Sequence, residues 1–259
     1  MSQEADTLEA GGDSKAAMRG AKAAVELGRF EESIPFWLAA LQCHAGSTKI
    51  DSGLSAARAR AEDVKRANQL LSEGSWDRAA ANLHAPLEAA PHAEHLEVLM
   101  VRALLGMGDW KQAASRCESL GNRVVGGDVE VRFLSGMAKY GEGDFEGAVK
   151  VWEGALREDP DHEESKRQVQ LARKMILAKS EANERFQHGA MISAIEGYTS
   201  ALALRSECNA FDSKLFFNRS VALGRTGKRQ EAIADCCNAL DLNPSYTRAL
   251  LQVLFQSLA

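Results

Sequence analysis

The sequence predicts an all-α fold of about six stacked helical hairpins. Three observations point to it: a skeleton recurring roughly every 34 residues, small residues at set places within it, and no run with strand-like alternation. The skeleton is clearest in Trp76-Asp-Arg-Ala79, Trp110-Lys-Gln-Ala113 and Phe145-Glu-Gly-Ala148, where an aromatic precedes an alanine by three residues. Ala79 and Ala113 are 34 residues apart, and Ala113 and Ala148 are 35 apart. Phe30/Ser33, Met191/Ala194 and Arg229/Ala232 continue the series more weakly. Four residues after each small residue stand Trp37, Leu83, Cys117, Trp152, Tyr198 and Cys236, which read as the wedges of each second helix. Twelve before it come Ala21, Ala67, Val101, Gly136, Ala182 and Ser220, where two helices must approach closely. A single such hairpin cannot hide its apolar face, so neighbours stack and share a continuous core.

Taken in order, residues 1–13 read as a disordered acidic tail, followed by hairpins over 14–47, 60–93, 94–128, 129–162, 175–208 and 213–246, with the start of a further helix over 247–259. Pro91, Pro160 and Pro244 close three hairpins, because proline lacks the N–H and its ring stops a helix. Short glycine turns at 27–30, 73–76, 107–110, 142–145 and 225–229 join the two helices of individual hairpins. The stretches 48–59 and 163–174 lack proline and are rich in helix formers, so they read as helical connectors in a continuous array rather than as flexible linkers.

Bulk properties narrow the function. The chain has 259 residues and a net charge of -5, so it has no overall basic field to gather nucleic acid or an anionic membrane. The opening MSQEADTLEAGGD has neither a basic flank nor an apolar run, and no stretch reaches the roughly 20 apolar residues that span a bilayer. Cys43, Cys117, Cys208, Cys236 and Cys237 include no Cys-x-x-Cys pair, so neither a disulfide framework nor a zinc site is expected. A reducing cytoplasm is the expected location.

Signals for catalysis are weak. His84, His92 and His95 lie near one another in the chain without acidic or cysteine partners in register, and read as surface histidines. Gly224-Arg-Thr-Gly227-Lys228 departs from a phosphate loop in both its glycine spacing and the following Arg229. Glu163-Glu164 lies on a connector with no pocket signal, and Cys236-Cys237 reads as part of a packed helix. No catalytic residue, metal or cofactor is expected, and the chain is expected not to be an enzyme.

The period and the placement of Trp, Ala, Gly and Pro resemble the tetratricopeptide repeat. That resemblance implies an α-solenoid wound as a right-handed superhelix, with a groove lined by the first helix of each hairpin. On those first helices stand Lys179 and Asn183, one turn apart, then Asn218, and then Arg248. This ordered set looks like the carboxylate clamp of chaperone-binding tetratricopeptide domains. An extended peptide ending in Asp or Glu presents two carboxylates, which lysine meets with charge and asparagine with directional N–H groups. The resemblance implies as partners the acidic C-terminal tails of heat-shock chaperones of the 70- and 90-kilodalton classes. The family has a second basic residue one turn after Arg248; Gln252 stands in that place here.

A possible second half-site has Lys15 and Arg19 one turn apart, in the places of the clamp's third-helix cations. Residues 14–252 are similar to the repeat region of J-domain co-chaperones with many tetratricopeptide repeats, through LFFNRSVAL at 215–223, EDPDHEESKR at 158–167 and EGYTSALAL at 196–204. No His-Pro-Asp tripeptide, the mark of a J-domain, occurs. The closing VLFQSLA departs from the family, and Leu-x-Val-Leu-Phe-Gln resembles a viral protease recognition sequence, so the end reads as truncated or non-native. The expected function is that of an adaptor or co-chaperone. The alternative is a scaffold whose middle repeats, 60–162, bind an unrelated protein.

Overall fold

The computed structural model describes the backbone of residues 2–121, 128–204 and 210–258, and the side chains of 14–121, 128–204 and 212–256. Cys208 and the far ends of the third and fifth expected hairpins lie outside them. Among the described residues there are thirteen α-helices and no strand. The chain divides into two compact units, residues 1–112 and 113–259.

The first unit contains α1 (Ser2–Glu26), α2 (Phe30–Cys43), α3 (Thr48–Ser72), α4 (Trp76–Ala89), α5 (Glu94–Met107) and the opening of α6 (Trp110–Gly121). α1 is helical from Ser2, so it takes in the segment expected as a disordered tail. Alanine and glutamate there are good helix formers. The second unit contains the rest of α6 and then α7 (Val129–Gly141), α8 (Phe145–Glu158), α9 (Glu163–Gln187), α10 (Met191–Ala203), α11 (Ala210–Arg225), α12 (Arg229–Leu242) and α13 (Thr247–Leu258).

The repeat positions are where the packing is tightest. Ser33, Ala79, Ala113, Ala148, Ala194 and Ala232 are each 0 % exposed, and Gly136 and its five counterparts twelve residues earlier in the other repeats are also buried. The wedges Trp37, Leu83, Cys117, Trp152, Tyr198 and Cys236 are buried as well. The reason is most direct at Gly136, where a Cβ would lie 2.2 Å from Trp152 Nε1. That indole nitrogen donates to the Phe133 carbonyl at 3.0 Å, so the ring cannot retreat without losing a hydrogen bond. Gly106 makes the same room for Trp76 in the first unit.

Each stretch expected as a connector is the first half of a 25-residue helix, α3 or α9. Both supply core residues. Ile50, Leu54 and Ala57 of α3 close over Trp37, whose ring would meet a Cβ on Gly53 at 2.7 Å. Val169, Ala172 and Met175 of α9 join Phe145 and Trp152 in the core of the second unit. There Tyr140 stacks on Phe145 with ring centroids 4.5 Å apart and its hydroxyl reaches Met175 Sδ at 3.5 Å. A half-helix covers a large aromatic without a second nucleation penalty, because each of its residues gains a backbone hydrogen bond by propagating a single helix.

The turns are built alike. Gly28, Gly74, Gly108, Gly143 and Gly227 hold positive φ, and Gly189, in a turn that the sequence pattern did not single out, does the same. After Gly108 and Gly143 an aspartate starts the next helix. Asp109 Oδ1 accepts from the Gln112 amide at 3.1 Å, and Asp144 Oδ1 from the Gly147 amide at 3.0 Å. In the last repeat the buried Asp235 accepts from one edge of the Arg219 guanidinium, from Nε at 2.7 Å and Nη2 at 2.8 Å. Arg219 also donates to Thr199 Oγ1 at 2.9 Å, joining α10, α11 and α12. α13 lies on α11 through Gln256, which packs against Gly224, while Leu251, Leu254 and Phe255 stay exposed.

Two outcomes are expected. Gly136→Ala should lower stability by about 1–3 kcal/mol through overpacking against Trp152, read as a shifted urea midpoint with unchanged slope. Burial pushes the Cys117 thiol up to about 12, so it stays protonated at any ordinary pH. Iodoacetamide followed by mass spectrometry should therefore label the exposed Cys43 and Cys237 in the native protein and reach Cys117 only in denaturant.

Candidate functional site

Lys179 and Asn183 sit on α9 and Asn218 on α11, all in the second unit, and the structure joins the two asparagines. Asn218 Nδ2 donates to Asn183 Oδ1 at 3.2 Å. The Tyr198 hydroxyl of α10 donates to that same oxygen at 2.7 Å. With both acceptor positions of Oδ1 occupied, the amide of Asn183 is turned so that its NH2 group faces away from these partners as a donor. Burial raises the Tyr198 pKa, which keeps the phenol neutral and able to donate.

Lys179, one turn before Asn183, is half-buried. Its pKa is lowered first by desolvation; the exposed Glu146 of α8 pulls it up, and Lys214 of α11 pushes it further down. The site therefore combines one desolvated cation, a second exposed cation, a carboxylate and an oriented amide pair. Chemically it suits an anion that can accept several N–H bonds at once.

The other expected residues are placed as follows. Arg248 is exposed at the start of α13 and Gln252 is half-buried one turn later. α13 is brought beside α11, where the Phe217 and Tyr246 rings lie 5.1 Å apart. Lys15 and Arg19 lie on α1 in the first unit, both exposed, with Arg19 Nε donating to the Lys15 carbonyl at 3.3 Å. Arg219, next to Asn218 in sequence, is turned to Asp235 instead. Tyr198, Glu146 and Lys214 escaped the sequence reading as site residues. Lys214-x-x-x-Asn218 repeats the spacing of Lys179-x-x-x-Asn183, and that was the available signal.

The first unit carries a separate open cavity of about 550 Å³ between the α1–α2 turn, α3 and the start of α5, with Phe30 and Val64 on its floor and Lys65, Asn68 and His95 among its walls. Among the described residues, no group of three or more His, Cys, Asp or Glu side chains converges as a metal site requires, and no helix is long and apolar enough to cross a membrane.

Residues 213–246, which carry α11 and α12, match the family model described as tetratricopeptide repeat. Those residues form a tetratricopeptide repeat. The helical path of this repeat protein matches the crystal structure of the P58(IPK) TPR domain with a TM-score of 0.64, at 17% identity over 95% of this chain and 69% of that one. In sequence it is similar to the DnaJ homolog subfamily C member 7 of Homo sapiens, 30% identical over 64% of this chain and 33% of the relative. It is likewise similar to the corresponding protein of Dictyostelium discoideum, 28% identical over 64% of this chain and 31% of the relative. The mitochondrial import receptor subunit TOM70 of Rattus norvegicus is 33% identical over 38% of this chain and 16% of its own length. The matched region thus spans about a third of the DnaJ relatives' length. The repeat array is a scaffold related in sequence to those of these proteins.

Removing the Tyr198 hydroxyl should free the Asn183 amide to rotate. Tyr198→Phe is expected to lower stability by about 0.5–1.5 kcal/mol, as befits one hydrogen bond, read as a shifted urea midpoint with an unchanged helical circular-dichroism spectrum.

Proposed function

We propose that the second unit binds the acidic C-terminal peptide of a heat-shock chaperone, of the 70- or 90-kilodalton class, and that the protein acts as an adaptor or co-chaperone through this carboxylate clamp. The observation that carries the reading is the Tyr198–Asn183–Asn218 chain of hydrogen bonds beside the half-buried Lys179. A hydrogen-bonded amide pair on two first helices has its donors arranged before ligand arrives, which reduces the ordering cost of binding. Lys179 supplies charge where partial desolvation strengthens it. Arg248, on the next first helix, is the long-reach cation for a peptide lying across α9, α11 and α13. Sequence similarity to DnaJ and TOM70 proteins lends support to a partner of the chaperone class.

Charge-assisted hydrogen bonds contribute about 1.5–3 kcal/mol each. A handful of them, less the cost of ordering the peptide, corresponds to a Kd on the order of micromolar. Fluorescence anisotropy with a labelled peptide ending in acidic residues and a free carboxylate is the direct measurement. Wild type should bind, added salt should weaken the complex, and Lys179→Glu should lose at least about tenfold in affinity. Equal binding by wild type and Lys179→Glu, or binding by neither, rejects the clamp.

A second reading rests on the cavity of the first unit, which is lined half by the turn and second helix of the first hairpin and half by α3 and α5 residues of the middle repeats. A scaffold used in that way would recover partners lacking acidic C-termini in affinity purification. Those partners would be retained by Lys179→Glu and lost with Val64→Glu.

A further inference from the structure

We propose that Thr226, in the turn between α11 and α12, is a phosphorylation site for a protein kinase that selects basic surroundings, and that Arg225, Lys228 and Arg229 hold the phosphate once it is attached. This goes beyond the clamp reading and does not depend on it.

The turn differs in chemistry from its counterparts. Immediately before their positive-φ glycines the other hairpin turns carry Leu27, Glu73, Met107, Glu142 and His188, whereas Thr226 puts a hydroxyl there, before Gly227. Thr226 and its three cationic neighbours are exposed, and a Cβ on Gly227 would meet nothing within 4 Å, so the outer side of the turn is open to an approaching enzyme. The hydroxyl donates to the Leu223 carbonyl at 2.8 Å. That oxygen also accepts from the Thr226 and Lys228 amides, at 3.1 and 3.0 Å. A carbonyl has two lone pairs, so the two amides satisfy it when the hydroxyl proton is lost, and the turn keeps its backbone bonds.

Charge gives the phosphate its place. α6 and α8 start behind Asp109 and Asp144, whose carboxylates meet first-turn amides, but α12 starts behind Lys228 without a side-chain cap and has Arg229 as its first residue. Cations at the positive end of a helix are unfavourable, and Glu231 offsets one of them through Lys228 at 3.3 Å. Arg225, Lys228 and Arg229 bring three positive charges and Glu231 one negative; a phosphothreonine of charge about −2 neutralises the remainder. The C-terminal dipole of α11, about half a charge, opposes an anion at Thr226, and three full cations outweigh it. The Arg225 guanidinium lies 4.5 Å from the centre of the Phe186 ring of α9, a contact that positions the cation without neutralising it. In the transfer, Thr226 Oγ1 bonds to the γ-phosphorus of a nucleoside triphosphate and the bond from that phosphorus to the oxygen bridging the β-phosphate breaks. The nucleoside diphosphate leaves, and the hydroxyl proton goes to the base of the kinase.

Incubation of the full chain with ATP and protein kinase C, a probe that selects basic surroundings, should place phosphate on Thr226, located by mass spectrometry, and Thr226→Val should remove it. Lys228→Gln combined with Arg229→Gln should slow the transfer at least about tenfold. The phosphorylated chain should have a higher urea midpoint than the unmodified chain in dilute buffer, and added salt should narrow the difference, because the gain is electrostatic. A synthetic peptide of residues 219–233 separates the chemistry of the sequence from that of the folded turn. Phosphate on the peptide but not on the folded chain, or on neither, overturns the proposal. So does phosphate whose yield survives Thr226→Val, or a rate indifferent to the double substitution. A urea midpoint that falls on phosphorylation, or a rise that salt leaves unchanged, overturns the part given to the three cations.

Discussion

Close approach of two helices at a residue with almost no side chain is the constraint from which the rest of this structure follows. Where Gly136 faces Trp152, the indole fills the space a Cβ would take and hydrogen-bonds the backbone of the same helix. The same exchange of a large ring for a missing side chain recurs at Gly106 with Trp76 and at Gly53 with Trp37. It sets the separation of neighbouring helices, and that separation decides which side chains farther along can touch. Dense interiors transmit such spacing because they have little free volume in which to absorb a change.

The long helices α3 and α9 extend this logic. Each adds a half-helix of core residues to cover an aromatic of the preceding hairpin, Trp37 in one case and Phe145 with Trp152 in the other. In α9 the same helix that buries Val169, Ala172 and Met175 in its first half carries Lys179 and Asn183 in its second. The site is thereby mounted on an element anchored by its own apolar face, and the amide pair inherits that anchoring. The buried ion pair of Arg219 with Asp235 does the corresponding work behind Asn218, one residue away on α11.

Much of the fold was legible in the sequence because each repeat position has a steric reason for its residue type. Ser33, Ala79, Ala113, Ala148, Ala194 and Ala232 mark places where only a small side chain fits, and proline and glycine mark where helices stop. The turn at Gly189 was less legible, since Met191 follows it where Phe30, Trp76, Trp110 and Phe145 mark four of the other turns. Of the site, Lys179, Asn183 and Asn218 could be named from their order along successive first helices. Tyr198 could not, because as a wedge its aromatic ring is already explained by packing, and its hydroxyl adds nothing to the periodicity.

The sequence by itself determined the helical period, the places where hairpins turn and the small-for-large exchanges in the core, since these depend on each residue's own volume and backbone freedom. Tertiary structure alone decided which polar groups meet. Asn183 is 35 residues from Asn218 and 15 from Tyr198. Whether those atoms come within hydrogen-bonding distance depends on the packing distance and rotation of three helices, which no local pattern encodes. It also decided the roles of two adjacent residues on α11. Asn218 faces Asn183 while Arg219 is turned to Asp235, because one helical step separates the face shared with α9 from the face packed on α12.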